Sequence, residues 1–193
     1  MTRGRAGAGG RRLALALALL ALTTAGCGGG SPAPDRPAAP AAHPRADPSV
    51  ERALQDPAVA RRLDRCPVTA PNHSVPPGES PPPGQPPTRY YGRGGLWTVV
   101  PARGVVVGDQ EPDGALSMKF PWWRGVRGRL TITGRRLDGR AAPLRAHIPR
   151  GYGPIGFQAT ALVFPAPGCW EVTGRAGSAR MTFVALVVRA RPQ

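Results

Sequence analysis

Proline and glycine decide where this chain can form regular structure, and they are spread unevenly. There are 25 prolines and 26 glycines among 193 residues. Glycine adds to the entropy that a helix or strand must give up, and proline removes a backbone donor. That composition argues against a compact helical protein and leaves disorder or a strand-and-turn fold. The two occupy different stretches. Residues 28–48 (GGGSPAPDRPAAPAAHPRADP) hold no aromatic residue and no apolar periodicity. Such a stretch buries too little to offset its ordering entropy, so 27–46 is read as a disordered tether. Residues 67–88 (PVTAPNHSVPPGESPPPGQPPT) are again proline-rich, and 66–88 is expected to be an extended or polyproline II linker.

The stretch between them differs. Asp47-Pro48 and Asp56-Pro57 each set a capping acid before a proline, the residue suited to the first helical position. Val50, Leu54, Val59 and Leu63 then fall on roughly one helical face, which predicts two short helices, or one kinked at Pro57, over 47–65. From Arg89 onward, short apolar alternations stand between turn residues. The segments 95–100 and 104–107 read as a first hairpin, and 115–120 as a strand after the Asp113-Gly114 turn. Further strands are expected over 128–134, 143–148, 156–164, 169–173 and 180–188. Seven or eight short strands in about 105 residues predict an all-β, antiparallel sandwich over 89–191.

The N-terminus follows a different logic. Arg3, Arg5, Arg11 and Arg12 come without an acid, Leu13–Leu22 is an unbroken apolar run, and Thr23-Thr24-Ala25-Gly26 leads to Cys27. That order matches a secretory signal, and the run is too short to span a membrane, which takes about 18 apolar residues or more. A cysteine directly after small residues resembles the signal of bacterial lipoproteins, where a branched apolar residue and two small residues precede a cysteine that becomes diacylated. Ala25, Gly26 and Cys27 match this pattern, while Thr24 stands where leucine is usual. The resemblance implies a signal peptide over 1–26 and a lipid on Cys27, holding the chain to the outer face of the cell membrane. Ordinary cleavage that leaves a free thiol is the plain alternative.

Cysteine counting bears on the same point. Three cysteines in an exported chain is an odd number. If Cys27 carries lipid, Cys66 and Cys169 remain as one disulfide pair. A Cys–Cys–His metal site is the alternative, but His43, His73 and His147 fall at no ligand spacing, so neither metal nor cofactor is expected.

The formal charge is +15. Taking the four signal-peptide arginines from the 26 basic residues leaves 22 against 11 acids, a net +11, with Lys119 the sole lysine. A basic surface favours anionic lipid head groups or anionic wall polymers. Nucleic acid is not expected as a partner, because export places the chain in the wrong compartment.

The closing stretch Phe164-Pro165-Ala166-Pro167-Gly168-Cys169-Trp170-Glu171-Val172-Thr173-Gly174, followed by a turn and an alternating strand from Met181 to Val188, resembles the last hairpin of bacterial immunoglobulin-like domains. With the lipoprotein-type signal and the segment Met118-Lys119-Phe120-Pro121-Trp122-Trp123-Arg124-Gly125, the whole resembles uncharacterised lipoproteins of GC-rich Gram-positive, actinobacterial-type bacteria with a C-terminal immunoglobulin-like domain. The resemblance implies an immunoglobulin-like sandwich and carries no agreed activity.

For binding, the conspicuous group is Trp122, Trp123, Arg124 and Arg127. Adjacent strand residues face opposite ways, so one tryptophan can lie in the core while its neighbour stays exposed, where with the arginines it could stack on a sugar or grip an anionic polymer. Packing of both rings into the sandwich ends, as large aromatics usually do, is the first expectation, and the exposed platform is the alternative. Arg150-Gly151-Tyr152-Gly153 reads as a turn, and Asp109–Gly114 as an acidic hairpin turn, because Phe120 stands where a calcium loop would need glutamate. No catalytic motif is present in the sequence. The expected function is a non-catalytic surface module that binds a partner protein or an envelope component, with a glycan- or wall-polymer-binding accessory to an envelope enzyme as the alternative.

Overall fold

The computed structural model describes residues 47–78 and 89–190. The expected signal peptide over 1–26, Cys27, the expected tether over 27–46 and the part of the expected proline-rich linker over 79–88 lie outside the described residues.

Both Asp-Pro pairs start helices, α1 (Pro48–Leu54) and α2 (Pro57–Leu63). Asp47 caps the first by accepting from the Ser49 backbone N–H at 2.9 Å, and Asp56 caps the second by accepting from that of Ala58 at 2.9 Å. Each proline occupies the first turn, where its missing donor costs no helical bond. Val50 and Ala53 are buried and join Val105, Leu186 and Val188 of the sheet in a satellite core.

The rest is mostly β: β1 (Tyr90–Arg93), β2 (Leu96–Val99), β3 (Val105–Gln110), β4 (Leu116–Arg124), β5 (Thr131–Arg136), β6 (Arg145–His147), β7 (Gly156–Phe164), β8 (Gly168–Ala176) and β9 (Ala179–Arg189). One ladder runs β1-β2-β4-β7-β6 and the other β5-β8-β9, and β3 joins them. Its first four residues pair in parallel with β9 (Val105↔Leu186), and its last two pair antiparallel with β4 (Gln110↔Leu116). The sheet is therefore mixed and open, where a purely antiparallel pattern is expected from the sequence. The expected hairpin of 95–100 with 104–107 does not form either. β2 pairs with β1 and β4 instead. The reason lies in the intervening Pro101–Gly104 turn, where Arg103 (φ 61°) and Gly104 (φ 71°) are left-handed. This turn carries the chain away from β2 and across to β9.

Side chains of the two ladders meet in one core. Trp122 and Phe120 of β4 lie against Phe183 of β9, with ring centroids 6.2 and 5.6 Å apart. Phe164 of β7 meets Trp170 of β8 at 5.5 Å. The disulfide Cys66–Cys169 ties the end of the helical segment to the start of β8. After it, residues 67–78 act less as a linker than as a strap. The Thr69 amide donates to the Val184 carbonyl and the Val184 amide donates to Thr69 Oγ1, while the Asn72 side chain brackets both backbone groups of Gly92.

Candidate anion-binding pole

The register brings four connections to one end of the sheet. Leu96 lies opposite Arg124 and Arg124 opposite Gly156, so the β1–β2 turn, the exit of β4 and the loop leading into β7 are neighbours. The β8–β9 turn joins them: a Cβ on Gly128 would come within 2.8 Å of Gly177 Cα, so the β4–β5 segment packs on that turn through bare backbone. Arg93, Arg127, Arg129, Arg150, Arg175 and Arg180 all emerge here, and all six are exposed. The ion pairs of the described residues lie elsewhere, joining Arg62 and Arg136 to Asp138, Arg103 to Glu51, Arg135 to Glu171 and Arg145 to Asp113. The three acids of 109–113 sit in the β3–β4 hairpin at the opposite end, where Asp113 also accepts from the Ala115 amide. Charge is thus segregated along the strands, with one pole that holds arginines and no described carboxylate.

The sequence-predicted binding group is only partly at the surface. Trp122 and Trp123 do face opposite ways, but both are buried, at 0% and 3% exposure. Trp123 is covered because its cross-strand neighbours are large. Trp97 and Phe157 pair beside it, and the Tyr90 ring meets it at a tilt, with centroids 5.3 Å apart. Packing of both rings into the fold is therefore what the structure shows, and the alternative, an exposed tryptophan platform, does not form. Arg124 is buried too. Its Nη1 donates to the carbonyls of Gly128 (2.9 Å) and Pro154 (3.3 Å), and its Nη2 to that of Gly153 (2.6 Å). It pins the β6–β7 loop from below, while Arg127 alone of the four is exposed.

That loop is the part of the site that sequence reasoning missed. Tyr152, Ile155 and Phe157, at 39%, 54% and 44%, are the exposed large hydrophobic residues among those described. Phe157 stacks edge-on against Trp123 at 5.3 Å, and Tyr152 against Phe157 at 6.2 Å, so a run of rings leads from the core to the rim. Strand periodicity places Phe157 on the face opposite Gln158, but no pattern in the chain shows that the segment read as a turn would present its tyrosine beside arginines from other loops. A cavity of about 280 Å³ opens there, between Arg129 and Leu130 on one side and 148–152 on the other, with Arg124 and Gln158 in its lining. A larger cavity of about 650 Å³ lies beside the disulfide, where Asp138 pairs with both Arg62 and Arg136 in the wall and Arg65 joins the lining. The described residues contain no cluster of three or more His, Cys, Asp or Glu suited to a metal.

Comparison of the chain with protein-family models, with curated proteins and with solved structures found no match.

Proposed function

We propose that this protein is a lipid-anchored, extracytoplasmic, non-catalytic module that holds an anionic component of the cell envelope at its arginine pole. One observation carries the binding half: six exposed arginines from four connections converge with no described carboxylate among them. A field of one sign attracts and retains a polyanion, and unpaired guanidinium forks suit phosphate and carboxylate groups. The fold supports an immunoglobulin-like sandwich, since β2-β4-β7-β6 against β5-β8-β9 follows the ABED and CFG strand order, with β3 crossing between the sheets. The anchor rests on the apolar run and small residues before Cys27. A partner protein with an acidic face is the second reading, favoured by Tyr152, Ile155 and Phe157, because aromatic and arginine anchors together mark protein interfaces.

Retention on immobilised polyglycerol phosphate and on neutral dextran tests the binding half. The reading expects retention on the polyanion alone, released by raised salt. Equal behaviour on both supports removes it. Mass spectrometry of the mature N-terminus tests the anchor, and Cys27 without a diacylglycerol adduct removes that half.

A further inference from the structure

The small cavity in the pole has a more specific chemistry than the surface around it. Arg124 is 6% exposed, and its hydrogen bonds go to three backbone carbonyls, with Nε left unmatched. Carbonyls supply dipoles and no counter-charge, and a buried cation without a counter-ion is costly. Beside it stands Gln158 at 7% exposure, two residues along β7 from the partner of Arg124 and so on the same face. Its Nε2 donates to the Pro149 carbonyl at 3.0 Å, and its Oε1 has no partner. Arg124 thus keeps an unspent donor at one cavity and Gln158 an unspent acceptor, which the hydroxyl of a protonated phosphate would meet, with exposed Arg129 and Arg150 at its mouth and the Tyr152 ring on its rim. Its volume of about 280 Å³ is near the lower end for ligand pockets, roughly 300 Å³.

We infer that this cavity is a binding site for one phosphate group, with Arg124 as its buried counter-charge, Arg129 and Arg150 as the groups that close on it, and Tyr152 stacked against whatever the phosphate carries. The inference rests on reading the pole as an anion-binding end. Phosphate satisfies the site better than a halide because arginine forks meet two oxygens at once.

Titration of the full chain with inorganic phosphate, at ionic strength held constant with chloride, reads the site through tryptophan fluorescence and melting temperature. Saturable binding is expected, with a rise in melting temperature that chloride does not reproduce. The Arg129→Ala/Arg150→Ala variant, which alters only exposed side chains, is expected to weaken binding at least 10-fold. Gln158→Glu supplies Arg124 with an internal carboxylate and is expected to abolish the phosphate response while the protein still melts cooperatively. A wild-type response equal to that of chloride, or an unchanged phosphate affinity in both variants, overturns the inference. Phosphatidylglycerol vesicles that compete with phosphate mark a lipid head group as the source. Vesicles that fail to compete mark a soluble phosphate or polymer, and either result supports the site. If phosphate shows no saturation while polyanion retention persists, the cavity falls and the pole stands. Saturation without polyanion retention leaves the cavity standing and removes the pole.

Discussion

Removing the Cys66–Cys169 bridge is the perturbation whose size follows most directly from the fold. The bridge joins residues 103 apart in sequence, with Cα atoms 5.6 Å apart. On the chain-entropy model, closing a loop of about 100 residues contributes about 4.7 kcal/mol, by restricting the unfolded chain. For a domain of this length each kcal/mol moves the melting temperature by about 2–4 °C, so Cys66→Ala/Cys169→Ala is expected to melt about 10–20 °C below the oxidised wild type. The loss also has a place in the structure. Without the bridge the helical segment is held by its satellite core around Val105, Leu186 and Val188, by the exposed ion pairs Arg103–Glu51 and Arg62–Asp138, and by the two hydrogen bonds between Thr69 and Val184. Amides of 49–66 are therefore expected to exchange before those of β8 and β9. Thermal melts followed by circular dichroism, paired with hydrogen exchange, measure both effects. A double variant that melts within about 3 °C of wild type, the shift that only about one kcal/mol would give, would mean that the bridge is not the main constraint on the unfolded chain.

Two further outcomes follow from the same packing and charge pairing. A Cβ on Gly174 would stand 2.6 Å from Cη2 of the fully buried Trp122, so Gly174→Ala overpacks the core and is expected to cost about 1–3 kcal/mol in urea denaturation; a neutral result would mean that Trp122 shifts freely. Asp138 is raised by burial but lowered more by hydrogen bonds from Arg136 and the Cys169 amide, and sits below its ordinary value of 3.8. Asp47, through its hydrogen bonds with Ser49, and Asp113, through Arg145, are also lowered. Groups depressed on folding add stability above the unfolded value and lose it as pH falls through the folded one. Stability is therefore expected to fall below about pH 4, with a shallower acid limb in Asp138→Asn. An acid limb of unchanged slope in that variant counts against the assignment.

Much of the architecture was legible because it depends on local chemistry. Asp-Pro capping marked both helices, and period-2 alternation marked β7 from Gly156 to Phe164. The crossing of β3 was not legible. Val105-Val106-Val107 is apolar throughout, so its pattern cannot distinguish pairing with β2 from pairing with β9. β1 escaped notice because Tyr90-Tyr91-Gly92-Arg93 is only four residues long and interrupted by a glycine that makes room for the Trp97 ring. The candidate site divides in the same way. Arg124 and Arg127 stood out beside the tryptophans, whereas Arg93, Arg150, Arg175 and Arg180 are scattered over almost 90 residues and meet only through register. The burial of Trp123 likewise depends on Trp97 and Phe157, which strand pairing alone brings to it.

On the proposed reading, location and not total charge makes this chain bind polyanions. Reversing three pole charges (Arg127→Glu, Arg129→Glu, Arg175→Glu) and, separately, three exposed charges elsewhere (Arg52→Glu, Arg61→Glu, Arg140→Glu) alters the net charge equally. Exposed charges are screened beyond about 8 Å at 0.15 M salt, so polyglycerol phosphate affinity measured at that ionic strength senses mainly nearby arginines. The pole variant is expected to lose at least 10-fold in affinity and the distal variant less than 2-fold. Equal losses in the two variants would contradict the account.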